Sequence, residues 1–168
     1  MRFAVLLVYA FAAIAFTPSG AAFAAQPSGK PIDGIPCQST EGVLFHTHQH
    51  LAIYDHGNAV EVPAGVGIVP GKCLYWLHTH TPNGLIHIEA SKYRDFTLGE
   101  FFDIWGEPLT RTSAAGARIA PGQLRVYLGG RRFDGDPRKL LLAFHADIVI
   151  EAGPPYFKPS PFTAWMGN

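Results

Sequence analysis

The sequence predicts an α+β domain, mainly antiparallel β-hairpins forming a sheet or small sandwich, with one short aromatic-faced helix. Two observations predict it. Short β-rich runs recur along the chain, separated by Gly, Asn, Asp and Pro turn signals. Only one stretch, Phe96 to Gly106, changes to a helical period. The length of 168 residues suits one domain.

The elements follow in order. Arg2 precedes an apolar run from Phe3 to Phe16, too short for a comfortable membrane span but suited to a signal-peptide core. Ala22 and Ala24 form an A-x-A cleavage site, so residues 1–24 are read as a signal peptide, the alternative being an uncleaved anchor. Residues 25–36, rich in Pro, Gly and Ser, read as a flexible leader. A single His-rich, β-rich domain is expected over 37–153, and a proline-rich tail lying extended on the surface over 154–168. Within the domain, Val43 to Tyr54 reads as a strand, "DHGN" as a turn and "AVEVP" as the returning strand. "CLYWLHTH" (Cys73 to His80), the turn "TPNG" and "LIHIEA" make a second hairpin. "FTLGEFFDIWG" carries Thr97 three residues before Glu100, a capping box. Leu98, Phe101, Phe102 and Trp105 fall at helical spacing with Gly106 as the stop, and these aromatics are read as core. Thr110 to Gly122 reads as a loop of polar and small residues. "LRVYLGG" with "RRF" forms a hairpin, "RKLLLAFH" is ambiguous, and "ADIVIEAG" is a buried strand.

Composition excludes several classes. Thirteen basic residues balance thirteen acidic ones, without the basic footprint of a nucleic-acid binder. No second apolar run is long enough to span a membrane once the signal is cleaved. No nucleophile triad, phosphate loop or dinucleotide fingerprint appears, and no catalytic residue is assigned. The two cysteines, Cys37 and Cys73, read as a disulfide in an exported chain, worth roughly 3–4 kcal/mol on the chain-entropy model.

The histidines carry the chemistry. Seven of the eight lie between positions 46 and 87. Strand alternation puts His46, His48 and His50 on one face, and His78 and His80 on one face. If residues 81–84 form the loop, His78 lies directly across from His87, with Cβ atoms about 4.5–5.5 Å apart, while Cys73 points to the other face. Neutral imidazoles ligate zinc, copper, nickel and iron. With Met1 and Met166 as the only methionines, a methionine-rich copper(I) carrier is excluded. The expected metal ligands are therefore His46, His48, His50, His78, His80 and His87, with Glu89 as an additional ligand or base and copper(II) or zinc as the ion. Six histidines exceed the needs of one ion: some sit behind the ligands, or two ions bind. His56, in a turn, and His145, outside the cluster, are not assigned to the site.

"CLYWLHTHTPNGLIHIEA" followed by "FTLGEFFDIWG" resembles a largely uncharacterised family of exported bacterial proteins. That family carries an HxHxH strand, an LHTH-turn-GxIHIE hairpin and an FTLGxFFxIWG helix. The resemblance spans about Cys37 to Gly153 and implies one domain built around the histidines, without supplying an activity. "YWLHTH" is also similar to histidine strings of multicopper oxidases, but this chain is one short domain and lacks the cysteine between paired histidines. The cupin pattern (HxH, a Glu a few residues on, then a distant His) fails as well, because His87 comes before Glu89.

The leading expectation is a periplasmic or secreted protein whose partner is a metal ion, held for buffering, delivery or resistance. The alternatives are a small metalloenzyme, oxidative with copper or iron or hydrolytic with zinc, and an interaction domain whose histidines sense pH.

Overall fold

The computed structural model describes residues 27–165, so the expected signal peptide lies outside the described residues. The strands are β1 (Cys37–Gln38), β2 (Phe45–Asp55), β3 (Asn58–Val60), β4 (Ile68–Val69), β5 (Cys73–Tyr75), β6 (Leu77–His78) and β7 (Leu85–Ala90). After the helix α1 (Leu98–Trp105) come β8 (Leu109–Thr110), β9 (Ser113–Ala114), β10 (Ala117–Arg118), β11 (Leu124–Leu128), β12 (Arg131–Phe133) and β13 (Asp147–Ala152).

One seven-stranded sheet runs β12-β11-β13-β2-β7-β6, with β3 also paired to β2. Two three-stranded sheets, β1-β5-β4 and β10-β9-β8, flank it. Pairing is antiparallel except between β2 and β13, which run parallel from His50 opposite Asp147 to Asp55 opposite Ala152. The class is thus the expected mainly β arrangement with one short helix. All three hairpins predicted from Gly-containing turns form, two of them through two-residue turns. His56 and Gly57 link β2 to β3, and Gly129 and Gly130 link β11 to β12, all four with positive φ as type I′ turns require.

Two expected elements differ. The strand read as continuous from Cys73 to His80 is interrupted at Trp76. Its first half, β5, pairs with β1 and β4, and its second half, β6, pairs with β7. The interruption comes from partners distant in sequence, which period-2 alternation does not register. The loop expected over Thr110 to Gly122 contains the short β8–β10 meander. Residues 27–36, read as having little structure of their own, lie against the domain. Ile32 and Ile35 bridge each other, Ile35 is fully buried, and the Tyr75 hydroxyl donates to the Lys30 carbonyl at 2.5 Å.

Alternation divides the large sheet into two faces. Leu51 and Ile53 of β2, Leu77 of β6, Ile86 and Ile88 of β7, and Ile148 and Ile150 of β13 join Leu98, Phe101, Phe102 and Ile104 of α1 in the core. The helix is held at both ends as its sequence requires. The Thr97 side chain accepts from Glu100 N–H while Glu100 accepts from Thr97 N–H, and Gly106 closes the helix at φ 80°. The opposite face of the sheet carries His46, His48, His50, His78 and His87, so the histidines are directed away from the core by the alternation that directs the isoleucines into it.

Candidate metal centre

The site is organised by β7, which lies between β2 and β6. In register, His48 of β2 and His78 of β6 both stand opposite His87, and His46 stands opposite Glu89. The deduced pairing of His78 with His87 is therefore present, and the two halves of the cluster lie side by side on neighbouring strands. The floor is closed: His78 is fully buried, and His48, His87 and Glu89 are buried. The rim is open, with the His46 and His80 side chains 51% and 40% exposed.

Two backbone features hold β6 and β7 in place. Gly67 has φ 73°, and a Cβ there would sit 2.3 Å from the Leu77 carbonyl oxygen and 3.2 Å from the His78 Cβ. Gly84 has φ 77°, and its Cβ would meet the Leu51 carbonyl oxygen at 2.3 Å. Only glycine allows both approaches.

Donor atoms converge in two sets: His78, His80, His87 and Glu89 in one, His46, His48 and His87 in the other, with all ligand atoms of a set within 4.8 Å of one another. The Nε2 atoms of His46 and His48 are 3.2 Å apart, and those of His78 and His80 are 3.1 Å apart. Glu89 reaches both pairs: Oε1 is 3.2 Å from His46 Nε2, and Oε2 is 3.7 Å from His78 Nε2. His87 sits edge-on between His48 and His80, with ring centroids 4.6 and 4.5 Å away.

One ligand is oriented from behind. His78 Nδ1 lies 2.9 Å from the Tyr75 carbonyl, which only accepts, so this nitrogen carries the proton. The Nε2 lone pair is then directed into the cluster, the usual arrangement of a metal-ligating histidine.

The electrostatics suit a cation. Burial, followed by the neighbouring imidazole of His80, holds His87 down at about 3. Burial holds His78 down at about 4, against the raising effect of the Tyr75 carbonyl. Both are neutral near pH 7, the form that ligates. Burial, then the negative charge of Glu41, pushes Glu89 up to about 7. A metal ion beside it favours the carboxylate and reverses that shift. Among the described residues, Glu89 Oε2 and His87 Nδ1 are buried without a hydrogen-bond partner. Such atoms are costly unless something else satisfies them.

Of the six expected histidine ligands, five fall in the two donor sets, and Glu89 joins one of them. His50 is in neither: its Nδ1 pairs with Asp147 at 2.9 Å, and its ring stacks on Phe162 with centroids 3.8 Å apart. His56 pairs with Asp55 at 2.7 Å, and the His145 ring lies between Phe144 and Trp165. Cys73 is engaged with Cys37 in the expected disulfide. One contributor was missed in the sequence. Glu41, in the segment before β2, places Oε1 3.6 Å from His80 Nε2, and no motif or period there marks it. Among the described residues no helix is long and apolar enough to cross a membrane.

The arrangement can hold a transition-metal ion in a nitrogen-rich donor set with one carboxylate. No family model, no curated protein and no solved structure matches this chain, so its geometry alone carries the functional reading.

Proposed function

We propose that this protein is an exported metal-binding protein that holds copper(II) or zinc through its clustered histidines, for buffering, delivery or resistance. One observation carries the reading: buried, neutral histidine donors and the buried carboxylate oxygen of Glu89, without a hydrogen bond, converge within ligand range of one another. Imidazole suits both ions, and neither cysteine is left as a thiolate for copper(I), because Cys37 and Cys73 form the disulfide. Export is supported by the apolar N-terminal run and by a disulfide suited to an oxidising compartment. The wider resemblance to exported histidine-rich domains fits the same reading.

Elemental analysis of protein purified from its native compartment tests it, with electron paramagnetic resonance if copper is found. Stoichiometric metal is expected, and joint replacement of His78 and His87 by Ala should abolish it. Absence of metal, with no binding tighter than about micromolar, would remove the proposal.

A metalloenzyme is the second reading. It is favoured by Glu89, whose value of about 7 is that of a general base poised at neutral pH, 3.2 Å from the half-exposed His46. Turnover that is lost in Glu89→Gln while metal content is retained would favour the enzyme over the carrier.

A further inference from the structure

Five histidines and a glutamate offer more donors than a tetrahedral ion accepts. Their arrangement says how they divide. Two ligands of one ion at zinc–nitrogen distances lie at most about 4 Å apart, even when opposed. The His46–His48 pair and the His78–His80 pair do not fall in a common set even at 4.8 Å, so one ion does not serve both pairs. Each pair taken alone does fit an ion. Two imidazole nitrogens bound at adjacent positions of one ion are about 2.8–3.4 Å apart for bond angles between square and tetrahedral. The observed separations are 3.2 Å for His46 and His48 and 3.1 Å for His78 and His80.

Glu89 lies near both pairs but falls in the donor set of His78 and His80 alone. Its Oε1 is turned to His46 Nε2 at 3.2 Å and its Oε2 to His78 Nε2 at 3.7 Å, one oxygen toward each pair. His87 is the histidine common to both sets, flanked by one ring from each pair. Glu41, beside His80, adds a second negative charge at the rim. Two carboxylates offset part of the repulsion between two neighbouring cations.

We infer that the cluster is a two-ion centre, with one ion on His46 and His48, a second on His78, His80 and Glu89, and His87 between them. This rests on the metal-binding reading above and goes further in number and connectivity.

The test uses the metal-stripped mature chain titrated with zinc chloride and, separately, with copper(II) sulfate. Native mass spectrometry and calorimetry should count two ions per chain. Glu89→Gln should weaken the binding step that His80→Ala weakens and leave the other in place. Two variants address the pairs without disturbing the buried floor, because both residues are half-exposed: His46→Ala and His80→Ala. Each should weaken one of the two binding steps by at least about tenfold and leave the other step in place. Saturation at one ion per chain overturns the two-ion centre and leaves single-ion binding standing. No binding at all overturns both. Weakening of the same single step by both histidine variants overturns the assignment of one ion to each pair.

Discussion

Glu89 and the two most buried histidines, His78 and His87, respond to pH in opposite senses. In metal-free protein, His78 and His87 titrate at about 4 and about 3 when folded, against 6.5 when unfolded. Below 6.5 the unfolded chain takes up protons that the folded chain refuses, so their stabilising contribution is full above 6.5 and is lost as pH falls toward the folded values. Glu89 is raised from 4.5 to about 7, so its contribution is full below 4.5 and is lost as pH rises through 7. Between 6.5 and 4.5 two histidines oppose one glutamate, each worth up to about 1.4 kcal/mol per pH unit. The net expectation is a metal-stripped protein that loses stability on acidification across that window. Glu89→Gln removes the opposing contribution and should steepen the loss, as read by thermal melts of stripped protein from pH 7 to 4.5; equal slopes would contradict the assigned shifts. At this scale the sequence was informative where neighbours are local. The opposition of His78 and His87 followed from the turn at residues 81–84, which begins four residues after Leu77, and Glu89 followed from sharing the face of His87. His50 was misplaced because alternation gives a face and not a position along it. Asp147, ninety-seven residues away, pairs with it, and no local pattern announces that.

Elements that close on themselves were equally legible. Helix α1 carries its own start and stop, and both Thr97 and Gly106 act as their positions indicate. Thr97→Ala should lower stability by about 1 kcal/mol, measured by denaturant unfolding, and leave metal affinity unchanged, because the helix packs on the face opposite the histidines. Gly67 is the contrasting case. Its side-chain-free approach to Leu77 and His78 positions β6. Gly67→Ala should therefore cost about 1–3 kcal/mol and also weaken metal binding measured by calorimetry. A variant that loses stability but binds metal as before would show that β6 does not rely on this contact. The interruption of the strand at Trp76 was not readable from sequence, since it arises where β5 leaves for β1. The Trp76 indole N–H then donates to Gln38 Oε1 at 2.5 Å, which also accepts from the Ser91 hydroxyl at 2.7 Å. Gln38 thereby spans from the residue before β6 to the residue after β7.

Across the whole molecule, the disulfide joins Cys37 and Cys73 over a separation of 36 residues. It anchors β1, and with it Gln38, which bonds to Trp76 just before β6. Reduction should remove about 3–4 kcal/mol on the chain-entropy model and lower metal affinity as well, checked by melts and titrations with and without reductant. Retained affinity in reduced protein would show that the strands of the large sheet hold the site unaided. The sheet order itself was not legible. β13, last in sequence, lies between β11 and β2 and runs parallel to β2, a pairing that no hairpin turn specifies. Its position governs the chain while it is being made. All the clustered histidines and Glu89 are synthesised well before β13, and β2 can meet β7 as soon as Ala90 has emerged. Until β13 arrives, however, the His50–Asp55 half of β2 offers an uncovered row of backbone donors and acceptors, the form of edge through which chains pair with one another. Chains cut short before Asp147 are therefore the ones expected to self-associate, and early metal capture by residues 41–89 would order that half of the molecule while its neighbour is still missing.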